Sequence, residues 1–178
     1  MVSRMRWLMI IMLGLLPILS YGQLFEHSNS FFYASSDVDA VNVVDLGDGI
    51  NGYNGTYNVG YRNHKVNMEL SYETFPNLEF WAIGAGGSIV LNHESRLNFL
   101  LGLEASLIWR GVEGKERGRD PSAAINIQVE YHLNRWFIYI KDENRYRGDL
   151  KAMYGKNAKP YVNSVFVGVG IKLFKKRI

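Results

Sequence analysis

From about position 53 to position 173, apolar and polar residues alternate with a period of two, the signature of half-buried strands. Between residues 96 and 110, Leu97, Phe99, Leu101, Leu103, Ala105, Leu107 and Trp109 share one face. Asn98, Leu100, Gly102, Glu104, Ser106, Ile108 and Arg110 share the other. Val66, Met68, Leu70 and Tyr72 oppose Asn67, Glu69, Ser71 and Glu73; Ile125, Ile127, Val129, Tyr131 and Leu133 oppose Asn126, Gln128, Glu130 and His132. Near the end of the chain, Val165, Val167, Val169, Ile171 and Leu173 oppose Gly168, Gly170 and Lys172. With runs near 53–62, 79–92 and 135–146, and a less regular one within 30–45, the pattern predicts eight strands. Phe31-Phe32 and Val43-Val44 interrupt the alternation of the first, which a β-bulge would absorb.

The connections differ in length. Asn63–Lys65, Asn92–Ser95 and Leu133-Asn134 read as short turns. Asp45–Gly52, Gly111–Pro121 and Gly148–Pro160 read as long loops, and Pro76-Asn77 as a short exception among them. Short turns at one end and long loops at the other are the layout of an antiparallel up-and-down barrel.

The first 22 residues read differently. Arg4 and Arg6 precede a 13-residue apolar run, Trp7–Leu19, followed by small Ser20 and Gly22 before Gln23. A charged start, an apolar stretch and small residues at −3 and −1 are the parts of a cleaved secretory signal. At ~1.5 Å per residue the run spans only ~20 Å, short of a ~30 Å hydrocarbon core. The expected organisation is therefore a signal peptide over 1–22 and one barrel domain over 23–178.

Composition narrows the function. The 178 residues contain no cysteine, which removes disulfides, thiolate metal sites and thiol nucleophiles. Of 20 Lys and Arg, two fall in the signal, leaving 18 against 17 Asp and Glu. A nucleic-acid partner is excluded, because such binders carry a marked basic excess.

Alternation alone leaves open which face meets a core and which meets lipid; a secreted lipocalin-like barrel would turn the apolar face inward. Two features favour lipid. The apolar-face aromatics collect near strand ends, with Tyr72, Trp81 and Trp109 toward the long loops and Tyr61, Tyr131 and Trp136 toward the short turns, as two interfacial belts would require. The opposite face carries both signs of charge, namely Arg62, Glu69, Glu73, Glu104, Arg110, Glu130, Lys141, Glu143 and Arg145, which can pair across a narrow lumen.

With its signal segment, eight alternating strands and closing run Val165–Phe174, the chain resembles small Gram-negative outer-membrane β-barrels of the OmpA/OmpX class. The resemblance implies an all-β, eight-stranded antiparallel transmembrane barrel in the outer membrane, with roles from anchoring and adhesion to lipid modification. Phe174 off the phase of Leu173, and a basic rather than aromatic terminus, depart from that pattern. Asn51–Tyr57 and Glu130–Phe137 also look like outer-membrane barrels of conjugal-transfer systems.

Candidate chemistry is sparse. His93-Glu94-Ser95 resembles the His-x-Ser of barrel lipid-A deacylases, with Glu104 as a third member. At ~3.4 Å per residue, however, Glu104 would stand ~30 Å up the wall from Ser95. The histidines His27, His64, His93 and His132 lack metal-ligand spacing. Asp45–Gly52 supplies oxygens and glycines but no calcium-loop pattern. Gly84-Ala85-Gly86-Gly87 has no following helix to receive a phosphate, and reads as relief of crowding inside the barrel. No catalytic, cofactor or metal site is assigned. The long loops carry the interaction signal: Lys115, Arg117 and Arg119 in one, and Arg147, Lys151, Lys156 and Lys159 in another, are placed to meet outer-membrane lipid, lipopolysaccharide phosphates or a macromolecular partner. The expected function is a non-enzymatic surface or envelope protein, with lipid-A modification as the competing reading.

Overall fold

The computed structural model describes residues 30–41, 54–75, 80–92, 96–112, 115–155 and 159–175. The signal segment, His27, the Asp45–Gly52 loop, Pro76-Asn77, His93–Ser95 and Lys156 lie outside the described residues. Eight strands follow in order: β1 (Phe31–Asp39), β2 (Gly55–Arg62), β3 (Val66–Phe75), β4 (Phe80–Val90), β5 (Leu97–Val112), β6 (Lys115–His132), β7 (Trp136–Arg147) and β8 (Tyr161–Lys175), with one short helix, α1 (Gly148–Tyr154), between the last two. Each strand pairs antiparallel with its sequence neighbour, and β1 with β8, so the sheet closes on itself without an edge.

Period-two alternation decides which way each side chain points. Leu103 is 66% exposed on the outer wall while its neighbour Glu104 is 6% exposed inside. The same contrast separates Val59 from Asn58, Leu70 from Ser71, Ile127 from Gln128 and Ile140 from Lys141. In β1 the register shifts against β8 between Phe32 and Tyr33. The extra residue, Leu173, falls on β8, so β1 itself alternates without a bulge at Phe31-Phe32: Phe31, Tyr33, Asp37 and Asp39 face inward while Phe32 and Val38 face out.

One expected loop is largely strand. Instead of a loop over Gly111–Pro121, the β5–β6 ladder continues past the rest of the wall, with Trp109 opposite Arg119, Arg110 opposite Gly118 and Val112 opposite Lys115. Backbone pairing needs no apolar side chains, so a hairpin of charged residues standing beyond the wall is invisible to a hydrophobic period. Lys115, Arg117 and Arg119 are thus strand residues. Gly148–Pro160, also expected as loop, begins with α1, and Arg147 is the last residue of β7.

Inside, aromatic rings on one strand lie over glycines on the next. Tyr33 is opposite Gly60, Phe137 opposite Gly170 and Tyr139 opposite Gly168. A Cβ on any of the three glycines would strike the facing ring. The rings are large and the barrel is narrow, so hydrogen must stand opposite each. Phe31, Tyr33, Phe137 and Tyr139 form one buried cluster, with Tyr33–Phe137 centroids 5.5 Å apart and Phe137–Tyr139 5.9 Å.

Candidate functional site

The lumen is where the chain concentrates its polar chemistry. At the turn side, Arg62 and Glu130 form a buried ion pair, and His132 Nε2 lies 2.7 Å from the same carboxylate. Gln128 Nε2 donates to the other oxygen of Glu130 at 2.7 Å. The next level is the aromatic cluster, whose hydroxyls bond to acids: Tyr33 donates to Glu69 at 2.8 Å and Tyr139 to Asp37 at 2.7 Å.

Toward the loop side, Lys141 Nζ lies 3.5 Å from Asp37 and 3.9 Å from Glu143. Arg145 then bridges three carboxylates, with Nε 2.6 Å from Glu143, Nη2 3.1 Å from Glu104 and Nη1 3.2 Å from Glu73. Its Nη1 also donates to Ser106 Oγ at 3.0 Å. Ser71 donates to Glu104 and Asn54 to Glu73. Gly84 leaves the space that Glu104 occupies, since a Cβ there would lie 2.5 Å from its Oε1.

At the mouth, α1 folds against the β5–β6 hairpin through Asp149. Arg147 grips that carboxylate with two bonds of 2.7 Å, and Arg110 approaches to 3.5 Å. Burial pushes the Asp149 carboxyl up, but the hydrogen bond and charge of Arg147, then those of Arg110, outweigh it and hold the group below its ordinary range. Gly148 packs so close to the Pro121 carbonyl that a Cβ would not fit, which fixes where the helix starts. A small cavity of about 130 Å³ remains beneath, lined by Asn54, Glu73, Arg110, Arg145 and Leu150 among others.

Thus Arg62, Glu69, Glu73, Glu104, Arg110, Glu130, Lys141, Glu143 and Arg145 all point into the barrel. Sequence reasoning missed Asp37, Asp39 and Asp149. The first two share the inward face with Tyr33 and Ser35, a signal masked because that face opens on the aromatic rings of Phe31 and Tyr33 instead of polar residues. Asp149 lies in a helix too short to show a period. Of the basic residues expected at the loop side, Arg119, Lys151 and Lys159 are exposed, whereas Arg147 is turned inward to Asp149. Lys115 and Arg117 lie on β6.

The outer wall completes the picture. Trp81 and Trp109 stack at 4.0 Å on the loop side, joined by Tyr57 with Tyr72 and Tyr146 with Tyr161. Tyr61, Tyr131 and Trp136 ring the turn side. Between the two belts the exposed large hydrophobic residues are mainly Val, Ile and Leu, and Asp142 is a polar exception on the same wall. A soluble lipocalin-like barrel would reverse this, with charges outside and the apolar face within. Lipid is the solvent this wall fits.

The fold is that of a small outer-membrane β-barrel. The N-terminal barrel domain of Pseudomonas aeruginosa OprF superposes with a TM-score of 0.59 at 13% identity, over 82% of this chain and 98% of that one. Neisserial surface protein A (NspA) superposes with a TM-score of 0.54 at 16% identity, over 81% and 97%. No family model and no curated protein matches the sequence. At these identities the likeness is one of fold, and the barrel's role has to be argued from its own residues.

Proposed function

We propose that the chain is an exported, non-enzymatic surface or envelope protein of the outer membrane, with a side-chain-filled lumen and loop-side cations that contact lipopolysaccharide phosphates or another macromolecule. The observation that carries this reading is the internal pairing of the lumen: Arg62, Lys141, Arg145, Arg110 and Arg147 each lie within 4.0 Å of a carboxylate inside the barrel or its mouth. Charges committed to one another serve structure rather than turnover. Among the described side chains, the cations left facing outward at the loop side are Arg119, Lys151 and Lys159. One similar structure, NspA, is itself named a surface protein.

Changing Arg119, Lys151 and Lys159 together to Gln tests the proposal. Binding to lipopolysaccharide-containing vesicles should weaken, most at low salt where screening is least. Heat-modifiable gel migration should stay unchanged, as the three residues lie outside the wall. Equal binding by the triple variant would remove the lipopolysaccharide reading. An altered lipid-A acyl pattern in cells expressing the protein would replace the non-enzymatic reading by lipid-A modification.

A further inference from the structure

A barrel wall is normally convex, but part of this one is hollowed. Over β2–β5 on the turn-side half, a groove of about 960 Å³ runs along the outside. Its sides are Val59 and Leu70 on one flank and Leu101 and Leu103 on the other, and its floor is Ala85 and Gly87 of β4. The register explains the hollow. Leu70, Ala85, Ala105 and Ala123 stand in one row across four strands, and Met68, Gly87 and Leu103 in the next. Small residues in adjacent rows remove the side chains that would make the wall bulge.

The fold does not demand glycine at position 87. A Cβ at Gly84 would meet Glu104 and Ser71 at 2.5 Å, and one at Gly102 would meet Asn126 at 2.5 Å, so those glycines are fixed by the crowded lumen. A Cβ at Gly87 would meet only the Asn67 carbonyl, at 3.7 Å, an ordinary contact. Reduced crowding inside the barrel, which accounts for Gly84, therefore leaves Gly87 unexplained. The groove has room that folding alone did not require.

Its turn-side end has a charge. Val66 and Ile89 line that end, where Phe32 and Tyr61 rings lie 5.1 Å apart. Directly beyond Val66, Lys65 is exposed in the β2–β3 turn, and its carbonyl accepts from Val90 N at 2.8 Å, which ties the turn to the end of β4. An apolar trough between the aromatic belts, ending at a cation at headgroup level, has the polarity of a lipid molecule: tail above, phosphate below. The volume lies within the about 300–1,000 Å³ range of sites that enclose small ligands.

We infer that this groove is a binding site for an anionic glycerophospholipid of the turn-side leaflet, with an acyl chain over Ala85 and Gly87 and its phosphate at Lys65. The inference rests on the membrane-barrel reading but not on the proposed surface role. A bound chain replaces water or loosely packed lipid tails over the concave wall, and Lys65 selects negative over zwitterionic headgroups.

Native mass spectrometry in mild detergent, with added phosphatidylglycerol or phosphatidylcholine, tests it on the full protein. Folding is checked in parallel by heat-modifiable migration, so a failure to form a barrel is seen separately from a failure to hold lipid. The wild type should retain one phosphatidylglycerol. Filling the floor with Ala85→Leu and Gly87→Leu should lower its apparent affinity about tenfold or more. Lys65→Gln should cost about fivefold for phosphatidylglycerol and little for phosphatidylcholine. Should the double variant not fold, Gly87→Met alone serves, since its flexible chain can lie along the trough. Undiminished phosphatidylglycerol binding by a folded, filled variant would overturn the site. So would a dimer of the wild type that the filling variant abolishes, because a second copy would then be the occupant.

Discussion

Arg145 is the side chain on which most of the loop-side lumen converges, and replacing it with Met gives the sharpest test of the network. Met keeps an unbranched apolar stem of comparable reach but offers no charge and no donor. The substitution strands Glu73, Glu104 and Glu143, all buried, and removes a bond to Ser106. Removing one partner of a buried ion pair typically costs about 3–5 kcal/mol, because the remaining charge is left without compensation. Lys141 still faces Glu143, and Asn54 and Ser71 still donate to Glu73 and Glu104, so a loss of about 4 kcal/mol is the appropriate expectation rather than three separate penalties added together.

The assay is urea unfolding of the refolded barrel in lipid vesicles, followed by tryptophan fluorescence. With a slope of about 2 kcal/mol per molar urea, the midpoint should fall by about 2 M. A second variant separates stranded charge from lost packing. Adding Glu104→Gln to Arg145→Met neutralises one orphaned carboxylate while leaving the cavity unchanged, and should recover about 1 kcal/mol or more. A midpoint shift below about 0.5 M for Arg145→Met, or no recovery in the double variant, would show that these carboxylates are solvated or already neutral and that the lumen is not held by charge pairing.

Three further outcomes follow from particular contacts. The Asp149 latch contributes fully above the ordinary carboxyl range near pH 4 and is lost only as pH falls through its lower folded value, so a reporter dye at position 151 (Lys151→Cys) should show α1 docked and unchanged from pH 8 to 5, and loosened below about pH 4; Asp149→Asn should loosen it at every pH, and a transition near neutrality would contradict the assignment. Gly170→Ala drives a methyl into the Phe137 ring and should cost about 1–3 kcal/mol in the same urea assay, whereas Gly87→Ala should stay within about 0.5 kcal/mol; equal effects would undo the contrast between inner and outer glycines. Asp142 is exposed on the outer wall between Ile127 and Val165, where it accepts a hydrogen bond from Asn163 Nδ2 at 3.2 Å; Asp142→Val should stabilise the barrel in vesicles by about 1 kcal/mol, and a loss of stability would show that the bond to Asn163 outweighs the cost of a carboxylate facing lipid.

How far the pattern of residues foretold the molecule depends on what each part spends its side chains on. Where a strand divides lipid from lumen, alternation is enforced residue by residue, and β3, β5 and β8 could be read almost to their ends. Where a strand leaves the membrane, as β6 does between Lys115 and Pro121, backbone pairing persists but nothing enforces a hydrophobic period. The lumen charges were legible for the same reason as the strands, since a polar residue in phase on a wall facing lipid has only the inside to occupy. Their partners were not legible. That Arg145 gathers Glu73, Glu104 and Glu143 follows from barrel tilt and stagger, which no single strand encodes. Asp37 escaped because the inward face of β1 begins with the rings of Phe31 and Tyr33, which hide the polar phase, and Gly87 because an outward glycine and an inward one look alike until the space around each is measured.

The pairing of charges inside also determines where recognition can arise. An eight-stranded barrel has too narrow an interior to hold a network and a ligand at once. Here the aromatic layer of Phe31, Tyr33, Phe137 and Tyr139 separates the Arg62–Glu130–His132 group from the Lys141–Arg145 group, so neither can be reached through the other. A ligand entering the lumen would have to break ion pairs whose charges it could not re-solvate, at several kcal/mol for each one left unpaired. Binding is cheaper where the molecule already faces its surroundings: at the exposed loop-side cations and along the hollow in the outer wall. Substitutions within the lumen should therefore move stability and leave binding intact, while those at Arg119, Lys151, Lys65 or Gly87 should do the reverse. That separation follows from the barrel's inverted polarity, because the charged interior that holds the fold together has little left with which to bind.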